Sequence, residues 1–582
     1  MTMIGTVLVL ASWLTLATIV VGSGLLSARV VGAASSLRIW LSTSIWWGLG
    51  LLTLITLGLS LLLPLRSAAT AGILVGFAAV LSAPGWWLAI SQFRRRKSRL
   101  RPSGWALLLI VAVSAAIVYL AFKATGPATN YDTGLYHYGM IRYAGDYGTV
   151  PGLANLFLPF GYANAQFPLA AVLTNGPWGI EGWRLLNGLV FVLVAVELFL
   201  RVSARRLSWG TYVLVIGVGA VSLPVIGMAD SLVTSPTSDT SVLLLAIVSA
   251  AYFCDLLEKR GHLAPRLSVV IVTTALAVAL RPTMLIFAAG MALAIIVVLA
   301  TRHQFGHLNI RFWTMSGLWL GALGTIQIVR DYVLSGWLIY PLSIFGWDVP
   351  WLARDPVNLR EATLAAARNP LDPDGYQVAH SWNWLVPWLQ RLPSQWETWF
   401  LLVAFVISAL SFVWTQLHGR NLLSIRLLAV ALFPSLAAII AWFVASPPSF
   451  RFAWGPIFLV PIIVIAWSWL NLPRRTHMQA FTMVAVSLAL LGVTTYSMLF
   501  RNQLAERNTT SFVTIGPLSI GYSIAPLPNV PTAERTMELG LVVQEPIVGD
   551  QCWSNYPLCT IFMGDKIGLL GEDIAEGFVT LP

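Results

Sequence analysis

Long apolar runs are the feature of this 582-residue chain that most constrains its fold. Apolar residues make up 57% of the sequence and charged residues only 10%, whereas a soluble domain carries about 25% charged residues. Runs of about 20 residues can cross a bilayer, and they cross it as helices because backbone groups in lipid must be paired internally. Divided at the Arg and Lys clusters, the runs predict about fourteen spans: 3–26, 40–64, 70–92, 104–122, 184–200, 208–228, 239–257, 267–281, 283–301, 313–330, 397–415, 427–445, 455–471 and 480–500.

The basic clusters predict the orientation of these spans. The loop between Arg94 and Arg101 must be cytoplasmic by the positive-inside rule. Alternation from that loop places the later basic clusters inside as well, so both termini are expected outside. Apart from Glu197, Asp255 and Glu258, every acidic residue falls in an outer loop, at its margin or in the C-terminal tail. The functional site is therefore expected on the extracytoplasmic side.

Three outer segments, 123–183, 331–396 and 501–582, are too long to be simple turns. The first ends in an apolar stretch, 167–180, that Pro and Gly interrupt, which suits a helix lying in the membrane interface. The last has little helical periodicity and many Pro and Gly residues. We therefore predict an all-α polytopic membrane protein that ends in a small extracytoplasmic segment of mixed or β character.

The three cysteines divide into a pair and a single thiol. Cys552 and Cys559 lie in the tail, where an oxidising outer face favours a local disulfide. Metal binding is the weaker interpretation, because no His or further Cys lies near them in the sequence. Cys254 lies at the inner end of a span and is expected to be a packed free thiol.

Asp132 is the first acidic residue of the chain and lies in the segment Asn130-Tyr-Asp-Thr-Gly-Leu-Tyr-His137, directly after a predicted span. Ionisable groups near a bilayer are costly and usually functional. A carboxylate here could accept a proton from a substrate hydroxyl as a general base. It could also cap a short helix, and the two roles are compatible. Arg142 and Asp146 follow at i, i+4 spacing, which favours an ion pair.

The residues around Asp132 are of types that bind sugars. Tyr131, Tyr136 and Tyr138 could stack on sugar rings or belong to an interfacial aromatic belt. His137 could be a second acid or base, or a hydrogen-bond donor to phosphate. A structural role among the tyrosines is the alternative for His137, and the sequence leaves both open.

Three more charged residues stand at predicted outer boundaries of spans. Asp239 ends the segment Ser235-Pro-Thr-Ser-Asp239 and could be a second carboxylate of the site or an N-cap. Arg281 lies between two closely spaced spans, and Arg451 lies in a short hairpin between spans. Guanidinium groups suit bidentate recognition of phosphate, and the alternative is anchoring at the interface by snorkelling.

Several classes of motif are absent from the sequence. It has no Walker-type loop, zinc-ligand spacing, Gly-x-Ser-x-Gly elbow or Rossmann fingerprint. The net charge of +11 comes from short clusters between apolar runs, so it does not indicate a nucleic-acid partner. An enzyme without a nucleotide site would have to take an activated donor from the membrane itself.

The segments taken together resemble the GT-C superfamily of glycosyltransferases. They are most similar to a little-characterised bacterial family of multi-pass GT-C-like membrane proteins. The matching segments are Tyr131–His137, Tyr147–Asn155, Ser235–Asp239, Arg281–Thr283, Ser335–Pro341, Trp347–Pro350, the hairpin at Arg451, and Gly549–Trp553.

The resemblance implies a catalytic core at 104–330, preceded by additional helices at 1–103 and followed by the outer loop 331–396, the helices 397–500 and the cap 501–582. It implies a polyprenyl-phosphate sugar as donor, Asp132 as base of an inverting transfer, and arginines that hold the leaving phosphate. Superfamily members often carry two adjacent carboxylates in the first outer loop, whereas Asp132 is flanked by Tyr131 and Thr133. We therefore expect no metal and no other cofactor, although the resemblance leaves a divalent metal open.

The expected function is transfer of a sugar from this donor to an envelope glycan, lipid or protein acceptor. We expect it at the extracytoplasmic face of the plasma (inner) membrane of a bacterium. Two alternatives remain: a transporter or flippase of a lipid-linked or amphipathic solute, and an envelope polysaccharide polymerase or ligase outside GT-C. A transporter would place charges within its spans, where Glu197 is the one acid well inside.

Overall fold

Helices that could cross a membrane make up most of the protein. A computed structural model describes residues 1–34, 36–95, 103–203, 207–258, 262–354, 356–372, 374–420, 422–473, 475–561 and 566–580, without the side chains of 94, 95, 475 and 476. Within these ranges, fourteen helices are long and apolar enough to be spans 1 to 14: Thr2–Val30, Leu37–Leu62, Ala68–Phe93, Gly104–Lys123, Gly179–Val202, Trp209–Gly227, Asp239–Leu257, Leu263–Leu280, Pro282–Thr301, Ile310–Ser335, Trp396–His418, Ile425–Ala445, Trp454–Asn471 and His477–Phe500.

These helices make the chain a multi-pass membrane protein with fourteen candidate spans, as the sequence predicts. The boundaries differ from the predicted ones by a few residues. Most of the basic loop 94–101, on which the predicted orientation rests, lies outside the described residues. Which face of the bundle lies outside the cell therefore stays a prediction.

Span 7 is the centre of the bundle. Every residue of Asp239–Leu257 is buried, and the helix packs against spans 5, 6, 8 and 13. Span 11 is at the other extreme, with only 17% of its most apolar window buried inside the protein. Because Asp239 is the first residue of span 7, it lies at the central axis of one end of the bundle.

We call that end the Asp132 face. Short helices fill the two long loops there: Tyr138–Asp146, Leu153–Leu156 and Gln166–Val172 in the first, and Pro356–Arg368, Gly375–His380 and Leu385–Arg391 in the second. Span 1 contacts a strand of the tail close to the N-terminus. Both chain ends therefore lie at the Asp132 face, as an even number of spans requires.

The tail folds into β-hairpins, in agreement with the predicted mixed or β character. Strand β1 (Thr509–Ile515) pairs antiparallel with β2 (Leu518–Ile524), β3 (Thr532–Thr536) with β4 (Val542–Pro546), and β5 (Ile567–Leu569) with β6 (Phe578–Thr580). Each pair forms its own two-stranded sheet. Such small hairpins are marginal alone, so packing on the loops of the Asp132 face must stabilise them.

The predicted interfacial helix within 167–180 is wrong. The helix Gln166–Val172 has all seven of its residues buried, and it packs against the helix Tyr138–Asp146. The Gln166 side chain donates to Asn187 Oδ1 at 2.8 Å inside the protein. The apolar residues of this helix are therefore covered by protein, whereas Pro177 and Ile180 at the end of the stretch are exposed.

Candidate functional site

Asn130, rather than Asp132, caps the turn that carries the first acidic residue. The Asn130 side-chain oxygen accepts the backbone N–H of Asp132 at 3.0 Å, and its carbonyl accepts the N–H of Thr133 at 3.0 Å. The Asp132 side chain makes no capping hydrogen bond to the π-helical turn Thr133–His137 that follows it. The N-cap interpretation of Asp132 is therefore wrong, and its carboxylate is available for other contacts. Single π-turns of this kind are frequent at functional sites.

The Asp132 carboxylate forms an ion pair with Arg451. Arg451 lies in the 3₁₀ turn Phe450–Phe452, between spans 12 and 13. The Asp132 side chain is 12% exposed and that of Arg451 34% exposed. Burial alone would lower the pKa of Arg451, but the neighbouring carboxylates of Asp132 and Asp239 outweigh burial and raise it. Arg451 is therefore a permanent cation beside the carboxylate.

A second ion pair joins Arg281, at the junction of spans 8 and 9, to Asp239. This pair is deeper, with side chains 12% and 2% exposed respectively. Thr237 donates its hydroxyl to Asp239 Oδ2 at 2.8 Å. Arg281 Nη1 also donates to the backbone carbonyl of Arg451 at 2.7 Å, which links the two pairs.

We call these four residues, Asp132, Arg451, Arg281 and Asp239, the charge quartet. They come from four separate segments of the chain and carry two positive and two negative charges. The ring of Phe452 lies near both guanidinium groups, with its centroid 5.2 Å from Arg451 Cζ and 5.6 Å from Arg281 Cζ. The structure therefore brings together four of the residues singled out in the sequence.

His137 lies beside the quartet in an aromatic environment. Its ring is buried and contacts those of Tyr136 and Phe167, with centroids 4.4 and 5.2 Å away. Burial lowers the pKa of His137 to about 4, with Asp132 opposing the shift and Arg451 adding to it. The imidazole is therefore neutral at pH 7, and its Nδ1 has no hydrogen-bond partner among the described residues. Burial also disfavours the charged form of Tyr136, and for this phenol the effect is to raise the pKa.

The hydroxyl groups of the other two tyrosines have partners outside the quartet. Tyr131 is 53% exposed and its hydroxyl bonds to Asp550 of the tail. Burial and Asp550 raise the pKa of Tyr131 to about 12. Tyr138 is buried against Trp183, with ring centroids 6.0 Å apart, and accepts a hydrogen bond from Arg142 at 3.3 Å. Tyr138 is therefore held by helix packing, and its role in sugar binding stays a prediction.

The predicted disulfide between Cys552 and Cys559 is present. It closes a ring of residues 552–559. We call residues 550–559 the tail loop, and this loop packs against the turn that carries Asp132. The backbone N–H of Trp553 donates to the Gly134 carbonyl at 3.0 Å. A Cβ at Gly134 would lie 2.3 Å from the Trp553 indole, so only glycine allows this approach. Cys254 is free and buried, also as predicted.

Two amides that sequence reasoning missed hold the quartet in place. One is Asn130, described above. The other is Asn187, whose side-chain amide donates to the carbonyls of Leu232, Ser235 and Thr237 at 2.9–3.0 Å. These bonds fix the segment that ends at Asp239. Asn187 is a lone amide in an otherwise apolar run, and that was the signal that could have identified it.

No group of three or more His, Cys, Asp or Glu side chains that could hold a metal ion occurs among the residues the structure describes. In the quartet each carboxylate has a guanidinium partner. The expectation that the protein uses no metal stays a prediction.

The fold and site define a helical multi-pass membrane protein with a buried charge cluster at one end of its bundle. The chain belongs to the family described as "Domain of unknown function (DUF8201)", whose family model matches residues 6–458. The match contains the whole quartet and ends before the tail. No curated protein matches the chain.

Proposed function

We propose that the protein is a membrane glycosyltransferase of the GT-C type. It moves a sugar from a polyprenyl-phosphate donor to an envelope glycan, lipid or protein acceptor on the extracytoplasmic side. The observation that carries the proposal is the charge quartet, where the largely buried Asp132 carboxylate lies beside two guanidinium groups from different inter-span junctions. A base next to phosphate-binding cations is what this transfer needs.

In the proposed reaction, the acceptor hydroxyl attacks the anomeric carbon from the face opposite the phosphate, which inverts that centre. Asp132 accepts the hydroxyl proton as the new glycosidic bond forms. The bond between the anomeric carbon and the phosphate oxygen breaks, and its electron pair leaves with the phosphate. Arg451 and Arg281 stabilise the developing negative charge, because preorganised donors act most strongly where charge develops.

Asp239 and His137 have supporting roles in this proposal. Asp239 fixes the guanidinium of Arg281, since the pair is buried and Thr237 holds the carboxylate. His137 supplies an uncharged ring nitrogen, which suits a hydrogen bond to a sugar hydroxyl on binding. Tyr131, which precedes Asp132 and is 53% exposed, would contact a sugar ring in this proposal.

The transporter alternative loses its main candidate residue. Glu197, the acid inside a span, pairs with Arg201 and accepts hydrogen bonds from Ser42 and Tyr252 at 2.6–2.8 Å. The side chains of these four residues are all buried or nearly so, and none is more than one-tenth exposed. A fully paired cluster of this kind suits helix packing better than a path for a charged solute.

The test is Asp132→Asn with Asp146→Asn as its matched control. Asp146 is an ion-paired carboxylate of the same loop, 2.5 Å from Arg66 and 3.3 Å from Arg142, which also confirms the predicted Arg142 pair. Transfer is measured in membranes supplied with a panel of polyprenyl-phosphate sugars. We expect Asp132→Asn to lose roughly a hundred- to ten-thousand-fold in rate and Asp146→Asn to remain active. Wild-type turnover by Asp132→Asn would remove Asp132 from the chemistry.

A further inference from the structure

Both arginines that the proposed function assigns to phosphate already have a carboxylate partner. Arg451 pairs with Asp132 and Arg281 with Asp239, so the quartet carries no net charge. A phosphate that entered a neutral cluster would meet carboxylate repulsion together with guanidinium attraction. Phosphate binding is therefore strengthened when one carboxylate gives up its arginine.

The two pairs differ in how readily they can open. Arg281 also donates to the Arg451 carbonyl at 2.7 Å and to Ser238 at 3.4 Å, and its Asp239 partner is 2% exposed. Separating that pair would leave a deeply buried carboxylate without its cation, which is costly. The Arg451 side chain is 34% exposed and lies in a three-residue turn. The pair between Asp132 and Arg451 is therefore the one that an incoming anion can open.

Asp132 keeps its place when Arg451 changes partner. Its backbone is held by Asn130 at 3.0 Å, and the following turn is held by the Trp553 bond to Gly134 at 3.0 Å. Neither contact involves Arg451. The carboxylate would thus be released in place, with its oxygens free to accept a proton.

We propose that the donor phosphate replaces Asp132 on Arg451, so that the base is released only when the donor is bound. The inference rests on the proposed function and adds an order to it: the phosphate binds first and the acceptor hydroxyl is deprotonated second. The ligand class is an isoprenyl phosphate whose anionic group exchanges for a carboxylate. No bond is made or broken in this step, and only the ion-pair partner of Arg451 changes.

The exchange predicts that removing the base improves binding of the donor phosphate. In the Asp132→Asn protein no ion pair has to be broken, so farnesyl phosphate should bind more tightly than to wild type, by roughly five- to twentyfold for a partly buried pair. Binding is measured by calorimetry on the purified full-length protein in detergent. Asp146→Asn is the control and should match wild type, and Arg451→Ala should weaken binding in both backgrounds.

Two further ligands identify the group that is recognised. Farnesol, which lacks the phosphate, should bind wild type and Asp132→Asn equally. Inorganic phosphate should show the same preference for Asp132→Asn at lower affinity, if the exchange needs only the anion. A preference seen with farnesyl phosphate alone would show that the isoprenyl chain must also be seated. Asp132→Ser serves as a second variant if the Asn protein does not fold.

The outcomes separate the exchange from the function on which it rests. Equal or weaker binding of farnesyl phosphate by Asp132→Asn, with Arg451→Ala still weaker, would overturn the exchange and leave the phosphate site standing. If neither folded wild type nor folded Asp132→Asn bound farnesyl phosphate, the proposed function itself would fail. Tighter binding by Asp132→Asn, absent in Asp146→Asn, supports both.

Discussion

At the scale of single residues, His137 stays uncharged although it lies beside the four charged side chains of the quartet. Burial in the aromatic environment disfavours the imidazolium form. The charges of Asp132 and Arg451 act on the ring in opposite directions, and burial is the largest cause of the shift. The histidine beside the proposed base therefore remains neutral at pH 7 and adds no charge to the quartet.

His137 should make the protein less stable in acid. The unfolded chain binds a proton at the ordinary pKa of 6.5, whereas the folded protein binds it only near 4. The contribution of neutral His137 to the free energy of unfolding is therefore complete above pH 6.5 and is lost as the pH falls towards 4. The loss should reach up to roughly 3 kcal/mol at 1.36 kcal/mol per pKa unit.

The measurement is the melting temperature in detergent between pH 7 and pH 4. His137→Gln should show a shallower decline than wild type. His307→Gln is the control, because His307 is exposed, and it should follow the wild-type curve. Parallel curves for wild type and His137→Gln would contradict the neutral, buried state of the ring.

At the scale of elements, the tail loop and the Asp132 turn act as one unit. The disulfide closes a short ring whose Trp553 packs on Gly134, and Gln551 and Asp550 bond to Tyr131 on the other side of Asp132. The turn with the proposed base is thus held from both sides by the last part of the chain. Its position depends on the tail as well as on the spans.

Gly134→Ala should separate the turn from the tail loop. The added Cβ would overlap the Trp553 indole, and such overpacking costs about 1–3 kcal/mol. Gly145→Ala is the matched control, because its Cβ would meet only Arg66 at an ordinary 3.6 Å, and it should be neutral or slightly stabilising. Melting curves test both variants. In a Trp553→Ala background Gly134→Ala should cost nothing further, and an undiminished cost there would mean that the overlap lies elsewhere.

Composition and local motifs were enough to predict much of the fold and most members of the site. Hydropathy is a local property, so the fourteen spans could be predicted from it. The mixed or β character of the tail could be predicted from its weak helical periodicity and its many Pro and Gly residues. Asp132, Arg451, Arg281 and Asp239 could be identified singly as charged residues at span boundaries. Their pairing could not be predicted, because Asp132 and Arg451 are 319 residues apart in the sequence. Only tertiary packing decides which arginine pairs with which carboxylate. The burial of Gln166–Val172 was missed for the same reason.

At the scale of the whole molecule, the fourteen-span alternation makes a prediction about sidedness. Single cysteines at positions 98 and 262 should react with a membrane-impermeant maleimide only from the cytoplasm, and those at 350 and 530 only from outside. The reason is that basic residues favour the cytoplasmic side while the Asp132 face carries the acidic loops. Cys254→Ser serves as the background, since Cys254 is the free thiol. One reversed site would break the alternation.

The separation of the quartet along the chain also has a consequence for biosynthesis. Arg451 follows Asp132 by 319 residues, and at roughly 5–20 residues per second its synthesis comes about 15 to 60 s later. During that interval the Asp132 carboxylate has no Arg451 to pair with. The tail loop, which holds the turn that carries Asp132, has not yet been synthesised. Assembly of the quartet is therefore among the last events in the maturation of this protein. A nascent chain that stalls before the Arg451 hairpin would be inserted in the membrane without a complete quartet.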